Sequence, residues 1–244
     1  MRVALIADIH GNLFALEAVL QELAKKQVEH IICMGDVAAG GPQPLQVIER
    51  LQQLACPVVM GNTDAFLLEP QVREPKSLFA QRCQAIDLWC AQQLSDEHKA
   101  YIRTFQPTIT WTFPHGKTLL AYHGSPRSFR EQILATTPDE VLEQAFAGFQ
   151  ADIMAGAHTH AQMFRRYRDI LVLNPGSVGL PMDRVWPLDK VRNPPWAEYA
   201  IVNAEENALN VELCRTPFDI HAFIQATLTS GMPNAEWSAS EWII

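Results

Sequence analysis

Apolar runs and helical stripes alternate along the first quarter of the chain. Residues 3–8 form a continuous apolar run closed by Asp8, and residues 13–26, LFALEAVLQELAKK, carry apolar side chains at helical spacing behind Asn12, a suitable N-cap. Residues 31–36 and 57–62 repeat the buried-strand pattern, and residues 44–54 between them open on Pro44, as a first helical turn allows. These segments predict a parallel βαβαβ half. Between residues 75 and 105 the pattern becomes helical in two stretches, SLFAQRCQAIDLWCAQQL and DEHKAYIRTF, the second opened by Ser95 with Asp96 and Glu97 in its first turn. Strand patterns return at residues 108–113, 118–123 and 152–157, with a helix over 138–149 before the last of them. Four more strands follow at 163–167, 170–174, 198–203 and 209–214, then a helix near 218–229. Two sheets packed face to face with helices outside accommodate this order in an α/β protein. With no repeat, low-complexity tract or linker, the 244 residues read as one domain with a helical insertion at about 75–105.

Where the apolar runs stop, residues able to ligate metals appear beside glycines: VALIADIHGN, IICMGD, VVMGNTD, LLAYHGSP and DIMAGAHTH. The candidates are Asp8 and His10, Asp36, Asn62, His123, and His158 with His160. Active sites of layered α/β proteins collect at such strand ends. Imidazole, carboxylate and amide oxygen together suit Mn, Fe, Zn or Ni better than a hard all-oxygen ion, and the set points to a two-metal hydrolytic site. Any one of these pairs has an ordinary structural reading, Asp8 as a helix N-terminal carboxylate or His10 as a loop histidine. The remaining histidines, His30, His98, His115 and His221, lie outside these segments and read as surface or packing residues.

Composition narrows the partners. The net charge of −8 and a pI near 5.5 supply no basic surface for nucleic acid. No window approaches the ~18 apolar residues of a membrane helix, and the first apolar stretch runs directly into Asp8, unlike a signal-peptide core. Five cysteines, odd in number and without CxxC spacing, predict free thiols and a cytoplasmic location.

In order along the chain, Asp8-Ile9-His10, Gly35-Asp36, Gly61-Asn62, His123 and Gly156-Ala157-His158-Thr159-His160 resemble the pattern DxH, GD, GN, H and GHxH of the calcineurin-like metallophosphoesterases. The segment Asn174-Pro175-Gly176-Ser177 resembles the NPGS loop of the small bacterial and archaeal branch related to YfcE-type phosphodiesterases. The resemblance implies a four-layer α/β/β/α sandwich and two divalent transition-metal ions, with manganese the first choice. It also implies that Asp8, His10 and His160 hold one ion, that Asn62, His123 and His158 hold the other, and that Asp36 bridges them. A hydroxide shared by the ions would attack the phosphorus of a small phosphodiester or activated phosphomonoester, with Asp36, Asn62 and His123 at the reacting centre. Two alternatives are a binding module that keeps the fold without catalysis, which retention of all seven ligands argues against, and a phosphoprotein phosphatase. A homo-oligomer stays open.

One departure matters. Many relatives place a histidine and an acid after Gly-Asn, the histidine helping the leaving oxygen depart; here Thr63 and Asp64 follow. Threonine donates no proton near neutral pH, which predicts a steep dependence of rate on leaving-group basicity. Asp64 is read as holding His10 or a water, or else as capping the next turn. Arg127 reads as a plain surface arginine first, with a phosphate contact as the alternative. The proline-rich stretch 180–196, holding Trp186 and Trp196, is read as a substrate rim or as a packed surface loop, and Met182 stands where relatives often carry arginine. The terminal WSASEWII suits docking on its own chain or on a second subunit.

Overall fold

Strand β1 (Arg2–Ile6) is buried on both faces, which is why it reads as an unbroken apolar run. The computed structural model describes residues 1–183, 192–205 and 208–244. Strand β1 pairs in parallel with β2 (His30–Cys33) and antiparallel with β8 (Trp196–Ala204), which pairs with β9 (Leu209–Pro217), in the order β2-β1-β8-β9. The second sheet is built from β3 (Thr108–Thr112), β4 (Thr118–Tyr122), β5 (Ile153–Ala155), β6 (Met163–Tyr167) and β7 (Ile170–Asn174), in the order β3-β4-β5-β7-β6. It is parallel at its centre and antiparallel at both edges.

Alternation along β1 explains the layering. Val3 and Leu5 join Ile32 and Val202 against Leu119, Ala121 and Ile153 of the facing sheet, while Ala4 and Ile6 turn outward. The outward face lies under α1 (Leu13–Lys25) and α2 (Pro44–Leu54), whose buried stripes include Leu16, Val19 and Leu23, and Val47, Ile48 and Leu51. Asn12 caps α1 by accepting the Ala15 N–H at 3.0 Å. On the far side, α6 (Asp139–Ala145) sets Leu142 and Ala145 against Leu120, Met154 and Val172. Helix, sheet, sheet and helix give the α/β/β/α sandwich.

Two departures from the sequence expectation bear on the site. Residues 57–62 make only single parallel bridges, Val58 with Cys33 and Val59 with Gln106, and Asn62 opens the helix α3 (Asn62–Leu68). The Asp64 carboxylate accepts the Gly61 N–H at 2.9 Å, so helix capping wins over extension of the apolar run. The helical stretch resolves into α4 (Leu78–Gln93) and α5 (Asp96–Ile102), capped by Ser77 and Ser95, with Ile86, Cys90 and Ile102 in the same core as α1 and α2. After α7 (Ile220–Thr229) a short helix that the sequence pattern did not predict, α8 (Ala235–Ser240), docks the terminal segment on its own chain. Trp242 is buried against Phe218 and Phe223 at ring separations of 5.7 and 5.0 Å, and Arg192 donates to the carbonyls of Ser240 and Trp242.

Candidate metal centre

All seven sequence candidates meet in one place. Asp8 and His10 follow β1, Asp36 follows β2, Asn62 opens α3, His123 follows β4, and His158 and His160 follow β5. Five of them have left-handed backbones: Asp8 (φ 53°), His10 (47°), Asp36 (53°), His158 (68°) and His160 (55°). Such conformations cost ~1–3 kcal/mol each for residues other than glycine, so the surrounding hydrogen bonds must hold them. The Asp8 N–H donates to Gly35 O at 2.9 Å, and the His10 N–H donates to Asp36 O at 3.0 Å. The Ser177 hydroxyl and the Gly179 N–H both donate to Asp8 O, at 2.7 and 2.9 Å. Asn174 donates to Ala157 O at 2.8 Å and to the Thr159 hydroxyl at 3.0 Å, bracing the loop that carries both histidines. The NPGS loop is thus a backbone clamp for the site.

The ligand atoms form two groups, Asp8 with His10 and His160, and Asp36 with His123 and His158, each within a 4.8 Å span. Asp36 Oδ2 lies 3.4 Å from His123 Nε2 and 3.9 Å from His10 Nε2, between the groups. Asn62 Oδ1 is 3.2 Å from His123 Nε2. Three imidazoles contact backbone carbonyls through Nδ1: His10 to Ala39 at 2.8 Å, His123 to Met34 at 2.7 Å and His160 to Leu180 at 2.7 Å. A carbonyl only accepts, so Nδ1 carries a proton and Nε2, the atom free to ligate a metal once its own proton is displaced, faces inward. His10 Nε2 and His160 Nε2 then stand 3.1 Å apart, a separation that asks for a cation between them. Asp8 Oδ1 is buried without a hydrogen-bond partner, 3.5 Å from His160 Nε2 and 3.9 Å from His10 and His123 Nε2. A buried orphan carboxylate oxygen among imidazole nitrogens fits a divalent metal.

Burial pushes the Asp8 carboxyl up, but the neighbouring His160 and His123 outweigh it and hold it below its usual range. Burial likewise opposes ionisation of Asp36, and His123 and His10 again prevail. Burial lowers His10 and His158, whereas Asp36 and Asp8 overcome burial to raise His123 and His160. Ionised carboxylates interleaved with imidazoles favour any positive charge placed among them, proton or metal.

Asp64 caps the next turn, Arg127 is a surface arginine, and Trp196 stands away from the cavity. Asp64 makes no bond to His10 among the described residues; it accepts the N–H groups of Asp36 (2.7 Å), Val37 (2.9 Å) and Gly61 (2.9 Å) and so welds the Asp36 loop to the start of α3. Burial, then the charge of Asp36, raises its carboxyl to about 7 against the pull of the Val37 and Gly61 amides. Arg127 is an exposed residue occupied by Glu131, at 3.0 Å from Nε, and by Gln144 O at 2.9 Å, which removes it as a phosphate contact. Trp196 starts β8 with its ring beneath the Arg215 guanidinium at 4.9 Å and is not part of the cavity wall. Trp186 lies outside the described residues.

The metal-ligand set opens into a cavity of about 410 Å³. His10, Asp36, Asn62, Thr63, His158 and His160 form its polar side, and Phe79, Ile86, Met182 and Trp237 its apolar side. Trp237 is held edge-on to Phe79 at 5.7 Å and beneath Arg82 at 5.2 Å, so α4 and α8 together build that wall. The sequence reading missed Phe79, Trp237 and Asp87, another lining residue; the one local signal was an acid at 87 within an apolar helical stripe.

Over residues 1–206 the chain matches the Calcineurin-like phosphoesterase superfamily domain. Phosphodiesterase YfcE of Escherichia coli K12 is 36% identical over 193 residues, 74% of this chain and 81% of YfcE. Protein MJ0912 of Methanocaldococcus jannaschii is 25% identical over 246 aligned positions, 96% of this chain and 94% of that protein. A metallophosphoesterase crystal structure from Sphaerobacter thermophilus superposes with a TM-score of 0.76 at 26% identity, covering 99% of this chain and 97% of that one. Protein PH1004 of Pyrococcus horikoshii shares the fold with a TM-score of 0.78 at 19% identity, over 98% and 96% of the two chains. The family match over most of the chain and the kinship to YfcE agree with what the buried candidate ligands fit: the chain belongs to the calcineurin-like phosphoesterase superfamily, in its YfcE-type branch, and is a metal-dependent phosphoesterase.

Proposed function

We propose that the protein hydrolyses a phosphodiester, or an activated phosphomonoester, of a small soluble molecule at a two-metal centre. Asp8, His10 and His160 would hold one ion, Asn62, His123 and His158 the other, with Asp36 shared. The observation that carries this reading is the position of Asp36 Oδ2, 3.4 Å from His123 Nε2 of one group and 3.9 Å from His10 Nε2 of the other. When bound, two divalent ions supply Lewis acidity toward phosphate oxygens and acidify a water enough for attack on phosphorus near neutral pH. The mixed nitrogen and oxygen donors suit Mn, Fe, Zn or Ni, and the family resemblance makes Mn the first choice.

The chain's own residues set the rest. The Thr63 N–H donates to Asp36 Oδ1 at 2.8 Å and fixes the orientation of the shared carboxylate. Asn62 contributes a neutral amide oxygen, which leaves net positive charge for the ester. A bounded cavity of about 410 Å³ with an apolar wall suits a small ester carrying an apolar or aromatic flank better than the face of a phosphoprotein. Among the described residues no helix is long and apolar enough to cross a membrane, and all five cysteines are free thiols, which supports a cytoplasmic site of action. Elemental analysis should find two divalent ions per chain, and Asp36→Asn should lower both metal content and turnover of bis(4-nitrophenyl) phosphate while circular dichroism stays unchanged. Full metal content and full activity in that variant would remove the bridging role.

A further inference from the structure

Thr63 lines the catalytic cavity where relatives carry a histidine, and its hydroxyl is buried without a hydrogen-bond partner. An alcohol cannot protonate a departing alkoxide near neutral pH. The same cavity holds a group that can. On α4, Phe79, Cys83, Ile86 and Asp87 fall at helical spacing and line the same cavity as His10, Asp36, Asn62 and His158. Three of the four suit an apolar stripe; Asp87, a partly exposed carboxyl on the cavity wall, does not. Asp87 makes no hydrogen bond or ion pair among the described residues. It also lines an adjoining cavity of about 470 Å³. Among the described residues, the charged and titratable groups around it, beyond the metal-site histidines, are Asp36, Glu69, Arg73, Cys83, Cys90, Arg130 and Glu241.

We propose that Asp87 is the proton donor of this phosphoesterase, protonating the leaving oxygen from the α4 side of the cavity it shares with the candidate metal ligands. The inference rests on the two-metal reading above. In the step, a bond forms between a water oxygen and phosphorus, and the bond from phosphorus to the leaving oxygen breaks with its electron pair on that oxygen. The oxygen takes the Asp87 proton and departs as an alcohol, and the proton shed by the attacking water restores the carboxyl by way of solvent. Without bound metal, burial and then the charge of Asp36 lift the Asp87 carboxyl to about 7; bound cations would pull it down and the negative charge of a bound ester would push it back up.

The test is a series of methyl phosphodiesters whose second alcohol ranges from 4-nitrophenol to an alkyl alcohol, run on wild type, Asp87→Asn and Asp87→Glu, with metal content measured on each. With Asp87 as donor the wild type should show a shallow dependence of kcat/KM on leaving-group basicity, in place of the steep one expected from Thr63 alone. Asp87→Asn should keep its metals, lose on the order of 10²-fold on the alkyl ester and only a few-fold on the nitrophenyl ester, and Asp87→Glu should recover part of the alkyl loss. Wild type and Asp87→Asn tracking each other across the series would overturn the proposal alone. So would an equal loss on every ester with falling metal content, which would give Asp87 a part in holding metal. A wild type with fewer than two metals and no turnover of any ester would overturn the two-metal reading and this inference together.

Discussion

Replacing Gly61 by alanine tests how closely α3 approaches the shared carboxylate. A Cβ at this position would stand 2.1 Å from Asp36 Oδ1 and 2.5 Å from Asp36 N, where ordinary contact begins at 3.4 Å, so the carboxylate oxygen must retreat by about 1.3 Å. The backbone at Gly61 (φ −94°, ψ 173°) suits any residue, which isolates the steric effect from conformational strain. The start of α3 cannot yield independently, because Asp64 accepts from both Gly61 N and Asp36 N and any shift carries Asn62 with it. One proposed ligand or another is displaced by about 1 Å, a misplacement that costs on the order of 10²-fold in rate. Overpacking should add roughly 1–3 kcal/mol of destabilisation, a loss of several degrees in Tm for a chain of this size. The assay is kcat/KM on bis(4-nitrophenyl) phosphate with elemental analysis and a thermal melt. Gly148→Ala is the control: its φ of +84° strains an alanine by about 1 kcal/mol, but its Cβ meets nothing within 4 Å, and activity should hold. A Gly61→Ala enzyme with two metals and wild-type turnover would refute the placement of Asp36 as a shared ligand.

Asp64→Ala leaves three N–H groups without their acceptor and should cost about 3 kcal/mol or more in urea unfolding; an unchanged midpoint would mean that water replaces the carboxylate freely. Trp237→Ala opens the apolar wall and should raise KM for the nitrophenyl diester more than it lowers kcat, whereas equal constants would reduce Trp237 to a packing residue. Burial opposes ionisation of Asp152, but Lys117 and Thr118 prevail and hold its carboxyl below the usual 3.8. Its stabilising contribution is therefore complete above that value and lost as pH falls through the lowered folded-state value. Asp152→Asn should flatten the acid limb of the Tm profile, and an unaltered limb would exclude that pair.

The seven candidate ligands were legible because each ends an apolar run beside glycine, a pattern local to a few residues. Both sheets were legible for a similar reason, since β1 and the central strands of the second sheet are buried on both faces. The third strand failed because Val58 and Val59 carry a strand pattern while the deciding contact comes from Asp64, whose partners at Asp36 and Val37 are distant in sequence. Its role was hidden on the same ground: nothing at residue 64 announces which amides it will meet. The walls of the cavity were illegible because α8 is too short to show periodicity and its anchors, Phe79 and Arg82, belong to another part of the chain.

Five of the candidate ligands stand in the left-handed region that L-residues with a Cβ avoid, and this sets thermal robustness against the proposed chemistry at the same five positions. Glycine, or asparagine at smaller gain, relieves the backbone at 8, 10, 36, 158 and 160 while removing a carboxylate or an imidazole. A library selected for heat resistance in chelator should therefore accumulate such replacements and lose activity as it gains stability. The same library selected with metal present should keep the native residues, because ligand binding to the folded state then outweighs the strain. Metal supply during selection, more than temperature, would decide whether a hardened descendant of this chain remained an enzyme.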